Sequence, residues 1–172
     1  MYYLPNLDET TRLIMISELE HDFKTNLFYE PSSIKPEYIN SYKLLLKKHF
    51  EIGYVEGLEK ALTTSYFKEK DKNGRKIHSN IAKMIAFSDF NRYYVRAILI
   101  RAITENKSVL IYRAKKSLHE RTESKALKNT CYLDKQTLKQ MLGTIRDYRI
   151  LFSSQSKVTL LQPNSGLSLK LI

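Results

Sequence analysis

The chain is short of the residues that most often announce a mechanism. One of its 172 residues is cysteine, Cys131, which excludes an internal disulfide and suits a reducing compartment. Its 5 glycines, at positions 53, 57, 74, 143 and 166, stand apart from one another. A phosphate-cradling P-loop or a Rossmann turn needs glycines close together, so both are excluded. No Gly-x-Ser-x-Gly elbow occurs. His21, His49, His78, His119 and Cys131 are scattered with no pair at metal-ligand spacing, and neither a metal nor a cofactor is expected. No apolar run reaches the roughly 18 residues of a membrane span. Met1-Tyr2-Tyr3-Leu4-Pro5 lacks the basic-then-apolar layout of an export signal, so a cytoplasmic location is expected.

What is present is apolar matter for a core and a strong excess of positive charge. The hydrophobic fraction is 42% and the mean hydropathy −0.40, which suits one compact domain or two small ones and speaks against global disorder. The formal net charge is +11. It is unevenly placed: residues 1–67 carry 7 Lys and Arg against 10 Asp and Glu, and residues 68–172 carry 22 against 8. Like charges repel across a compact state, so a half this basic points to an anionic partner, and nucleic acid is the default anion. A solvated basic surface is the plainer alternative.

Three stretches follow from these patterns: an acidic helical region over 1–67, a basic loop over 68–76, and a basic α+β module over 77–172. Asn6 or Asp8 can cap a first helix with Leu13, Ile16, Leu19 and Phe23 on one side. A second helix begins at Pro36, carries Tyr38, Tyr42, Leu45, Leu46 and His49 on one face, and stops at Gly53. A third runs from Val55 to Phe67 and buries Leu58 and Leu62. Lys68 to Lys76 has no apolar residue and contains Asn73-Gly74, a strong turn signal, which reads either as a solvated linker or as a binding loop.

Residues 87–104 are apolar on nearly all sides and predict a buried central helix, with Ser88 as its cap and Asp89 in its first turn. Arg92 and Arg96 are four apart and share a face of that helix. Their charge cannot be neutralised, so each needs a carboxylate, a phosphate or a carbonyl group. A buried ion-pair network with Asp89, Glu105 or an N-terminal acid is the plainer reading of the pair; between the two, Arg92, nearer Asp89, is expected to meet an internal acid and Arg96 an external partner. Val109 to Tyr112 and Thr130 to Leu133 predict strands, Asp134 caps a helix with Leu138, Met141, Leu142 and Ile145, and Val158–Leu161 and Leu167–Ile172 flank a turn at Pro163-Asn-Ser-Gly166. Helices first and a small sheet on a central helix last make the fold class α+β.

Several of these segments resemble a set of bacterial and prophage proteins. The likeness rests on Leu7-Asp-Glu-Thr-Thr-Arg12, Phe87 to Arg96, Ile111-Tyr-Arg-Ala-Lys115, Arg121-x-x-Ser124 and Pro163-Asn-Ser-Gly-Leu167. The middle is also similar to the C-terminal module of phage head morphogenesis proteins of the Mu protein F type. Asn91-Arg92, Val109–Tyr112, Arg121–Ser124 and Tyr132–Asp134 fall where that module has a helix, a strand, a polar loop and a return strand. Lys125 and Asn129 depart from its pattern.

The resemblance implies a non-enzymatic structural or interaction protein of phage or prophage type, acting in capsid assembly within a nucleoprotein particle such as a virion head, which adds the virion to the cytoplasm as an expected location. Its basic face would meet nucleic acid, DNA ahead of RNA, or an acidic protein of the assembly, and oligomers fit such a role. The candidate binding residues are Lys68, Lys70, Lys72, Arg75, Lys76, Arg92, Arg96, Arg113, Lys115, Lys116, Arg121, Asn164 and Ser165. A free nucleic-acid-binding protein of a defence or counter-defence system is a second reading. A nuclease or nucleotide-modifying enzyme built on Arg92, Arg96, Arg113 and Ser165 is a third, although no catalytic constellation stands out.

Overall fold

A computed structural model of the chain describes residues 2–115, 122–153, 160–161 and 165–172. Its described elements are α1 (Glu9–Thr25), α2 (Ile39–Glu51), α3 (Val55–Ala61), α4 (Ile81–Glu105), β1 (Val109–Arg113), α5 (Thr122–Leu127), β2 (Cys131–Tyr132), α6 (Lys135–Arg146), α7 (Tyr148–Leu151) and β3 (Leu167–Leu171). The fold is α+β, with helices first and a small antiparallel sheet, order β2-β1-β3, after them. Two compact units result: Met1–Phe28 with Asn91–Ile172, and Tyr29–Phe90. The division falls inside α4. It departs from the division by charge because packing follows buried apolar side chains, whatever the charge on the surface.

In the first unit Asp8 caps α1, accepting from the Thr11 N–H at 2.9 Å. The buried side of α1 is Thr11, Met15, Glu18, Leu19 and Asp22. The expected apolar face was wrong for Leu13, which is 61% exposed. Two carboxylates occupy the inner face in its place, and their partners come from α4 and α6, far along the chain. In the sheet, β1 is central, paired with β3 from Val109↔Leu171 to Arg113↔Leu167 and with β2 at Val109↔Tyr132 and Leu110↔Cys131. Leu167 and Leu169 are fully buried, and the Asn91 amide of α4 donates to the Leu167 carbonyl at 2.8 Å. Asp134 caps α6 as expected, and Leu138, Leu142 and Ile145 are buried. Leu160 and Leu161 lie in a turn, while Val158 and Pro163 fall outside the described residues.

In the second unit a short 3-10 turn at Pro36–Tyr38 leads into α2, whose buried residues are Tyr42, Leu46 and Phe50. Phe50 meets Phe90 edge-on with ring centroids 5.3 Å apart. The third helix ends at Ala61, well short of Phe67, and a 3-10 turn covers Thr64–Tyr66. The run Thr63-Thr64-Ser65 explains the early stop, because such side chains compete for backbone hydrogen bonds. Helix α4 starts at Ile81, so Ser88 and Asp89 lie inside it and cap nothing. Ala82, Lys83, Met84 and Ala86 are good helix formers and carry the helix back past the local cap signal. Asp89 is buried and accepts a hydrogen bond from the Tyr42 hydroxyl.

Candidate functional site

The segment between α3 and α4 is a hairpin, and its construction is local. Asp71 and Arg75 are joined by an N–H···O bond of 2.8 Å, and the Ile77 N–H donates to the Glu69 carbonyl at 2.9 Å. The Asp71 carboxylate accepts from the backbone N–H groups of Asn73 at 2.8 Å and Arg75 at 2.9 Å. Gly74 takes a φ of 77°, which favours glycine and closes the turn that Asn73-Gly74 announces. The base is fastened to residues 33–35: Lys68 N–H donates to the Ser33 carbonyl and Lys35 N–H to that of Tyr66, each at 2.9 Å. Lys68 also sends its ammonium to the Ser32 carbonyl at 2.8 Å.

Lys68, Lys70, Lys72, Arg75 and Lys76 are all exposed on this hairpin. Lys70 and Lys76 form an antiparallel bridge, so two ammonium-bearing residues face each other across the ribbon. Like charges directly opposite are destabilising in a strand pair. Among the described residues neither ammonium has an ion-pair partner to offset that repulsion.

Beside the hairpin lies a cavity of about 630 Å³. Its apolar lining comes from Leu62, Phe67, Ile77, Ile81 and Ala82, and Lys68, Lys70, Lys76 and His78 stand around it, with Glu69. Ile81 and Ala82 open α4, so the positive end of a 25-residue helix also borders the cavity. The hairpin was legible in the sequence. The cavity was not, because its apolar residues, although all within 62–82, fall before the hairpin, after it and at the start of α4, and each alone reads as ordinary core.

The other described candidate residues lie in the first unit and do different work. Arg96 is turned inward, contrary to the expectation of an external partner. It is 1% exposed and grips Asp22 with two bonds, of 2.7 and 2.8 Å, and Glu18 with its Nε at 2.8 Å. Tyr93 donates to the same Asp22 at 2.7 Å, and Arg146 of α6 donates to Glu18 at 2.9 and 2.6 Å. Burial alone would raise the Glu18 carboxyl. Hydrogen bonds from Arg146 and the charge of Arg96 outweigh it and hold the group below its ordinary value. Burial pushes the Tyr93 hydroxyl strongly up, and the Tyr94 hydroxyl up to about 12.

Arg92 is 3% exposed, with its guanidinium 5.4 Å from the Tyr93 ring centroid, and so is no surface contact either. Arg113 is half-buried and donates to the Ser165 carbonyl at 2.9 Å. Ser165, expected to offer a donor to a partner, is 5% exposed and gives its hydroxyl to the Leu160 carbonyl at 2.7 Å. Lys115 is half-buried and forms a bridge with Tyr2. Lys116, Arg121 and Asn164 lie outside the described residues.

Among the described residues no group of three or more His, Cys, Asp or Glu side chains could hold a metal ion. No described helix is long and apolar enough to cross a membrane. No protein-family model matches the chain, and neither a curated protein nor a solved structure matches it.

Proposed function

We propose that the chain is a non-enzymatic binding protein of a nucleoprotein assembly, and that it holds nucleic acid through the hairpin at residues 68–76. The observation that carries this reading is the facing pair Lys70 and Lys76, exposed and, among the described residues, without a carboxylate to neutralise them. An array of phosphates meets that need, because it brings negative charge along a line and releases counterions on contact. Three further exposed cations, Lys68, Lys72 and Arg75, belong to the same hairpin. Large apolar side chains exposed in the same unit, Leu44 at 70% and Ile52 at 76%, support contact with a protein of the assembly.

The test is a salt titration of binding to a labelled oligonucleotide, read by fluorescence anisotropy. Up to five phosphate contacts predict a steep fall of affinity with salt, with a slope of about −0.7 per contact on a single strand and about −0.9 on a duplex. A slope near zero would exclude a phosphate interface.

A further inference from the structure

The cavity beside the hairpin has no use in a purely electrostatic grip on a duplex. In a duplex the bases are stacked inside and only their edges can be read. A single strand exposes base faces next to the phosphates that carry them, and proteins take such strands with a basic track and an apolar surface for the base. Both features are built here from one stretch of chain. Lys68, Lys70 and Lys76 border the cavity, while Phe67, Ile77 and Ala82 supply apolar surface within it. Its volume of about 630 Å³ lies within the roughly 300–1,000 Å³ of sites that take small organic groups. The N-terminal end of α4 adds positive potential where a phosphate would rest.

We infer that this cavity takes an unstacked base of a single-stranded nucleic acid whose phosphates lie on Lys68, Lys70 and Lys76. The inference rests on the reading of the hairpin as a phosphate contact and adds to it the form of nucleic acid preferred. The base enters between Phe67 and Ile77, and the ammonium groups fix the backbone on either side of it. The site is sequence-tolerant, because every base has an apolar face. A steady preference for single strands over duplex follows.

The experiment compares the full chain on three oligonucleotides of equal phosphate count: a single strand of thymidines, an abasic single strand, and a duplex. The thymidine strand is expected to bind at least about tenfold more tightly than the abasic one. Ala82→Phe fills the cavity without changing charge and is expected to bring the thymidine strand down to the abasic level while leaving abasic binding unchanged. Ile77→Ser, at a half-buried position, serves as the second variant, and circular dichroism melting establishes that each is folded. Equal binding of thymidine and abasic strands would overturn the base site, while Lys70→Gln with Lys76→Gln would still weaken both if the hairpin reading stands. Loss of neither strand in that double variant would overturn the hairpin reading itself. Displacement of the thymidine strand by polyglutamate at equal charge concentration would overturn the base site by assigning the surface to an acidic protein.

Discussion

Arg96 of α4 and Asp22 of α1 are joined by two parallel bonds, Nη1 to Oδ2 at 2.7 Å and Nη2 to Oδ1 at 2.8 Å, with both side chains almost wholly buried. The residues are 74 apart in sequence. The pair sits in a chain of contacts that runs from Tyr93 through Asp22, Arg96 and Glu18 to Arg146. Every charge in it has a counterpart, so the network is stable as a whole and costly to break in part.

Arg96→Met removes the cation and leaves Glu18 and Asp22 buried with less compensation. The expected loss is about 3–5 kcal/mol, read as a large drop in Tm. Arg96→Lys is expected to recover only part of it, because an ammonium cannot span both carboxylate oxygens and Glu18 at once. A triple change to Met at Arg96, Leu at Asp22 and Gln at Glu18 is expected to be more stable than Arg96→Met alone. A melting curve for Arg96→Met that overlays the wild type would remove the network as a source of stability.

The same network sets the acid limit. The Glu18 carboxyl is held below its ordinary value of 4.5. A depressed folded-state value means the contribution is complete above that pH and is lost as the pH falls through the lower folded value. Stability is therefore expected to decline below about pH 4.5, and Glu18→Gln to flatten that decline. At the alkaline end Tyr94 is raised from 10.0 to about 12. Its contribution is complete below the unfolded value and fades as the pH rises between those limits. Denaturant midpoints across pH, with Glu18→Gln and Tyr94→Phe beside the wild type, check both limbs.

Gly166 precedes β3 with a φ of 65°, and a Cβ there would lie 3.3 Å from Arg113 Nη1 and from the Lys115 carbonyl oxygen. Gly166→Ala meets both the left-handed backbone and the crowding, and is expected to cost about 1–2 kcal/mol. Deleting residues 167–172 goes further, because it strips one side of β1 and removes the buried Leu167 and Leu169. Each buried Leu contributes about 1.5–3 kcal/mol, so cooperative melting is expected to be lost. Unaltered melting of the truncated chain would contradict the pairing of β1 with β3.

The parts of this fold that the sequence makes legible are those decided by neighbours along the chain. The caps at Asp8 and Asp134, the turn at Asn73-Gly74, and the strand at Val109–Tyr112 all depend on local chemistry. The parts it hides depend on distant partners. Glu18 and Asp22 look like solvent residues until Arg96 and Arg146 arrive to neutralise them, and their presence shifts the buried face of α1 away from Leu13. Ser88 looks like a cap because Ser followed by Asp carries the local signal of a helix start, whereas the helix formers before it continue the helix through that position. Arg96 reads as an interface residue for the same reason that Glu18 and Asp22 read as solvent residues: each half of the ion pair is ambiguous without the other. In the candidate site, the five cations of the hairpin were visible as a run, whereas the cavity needed Leu62, Ile77 and Ala82 to be brought together.

Five exposed cations on one hairpin are proposed to hold nucleic acid, and a single comparison bears on all of them. Lys68, Lys70, Lys72, Arg75 and Lys76 are replaced together by Gln, and the affinity of this variant for one labelled single strand is measured beside the wild type at the same salt. All five side chains are exposed, so stability should change by no more than about 0.5 kcal/mol for each. Nucleic-acid binding by the hairpin predicts an intact melting transition, a loss of affinity of at least about a hundredfold, and a flattened salt slope. An unchanged affinity in a folded variant would contradict it.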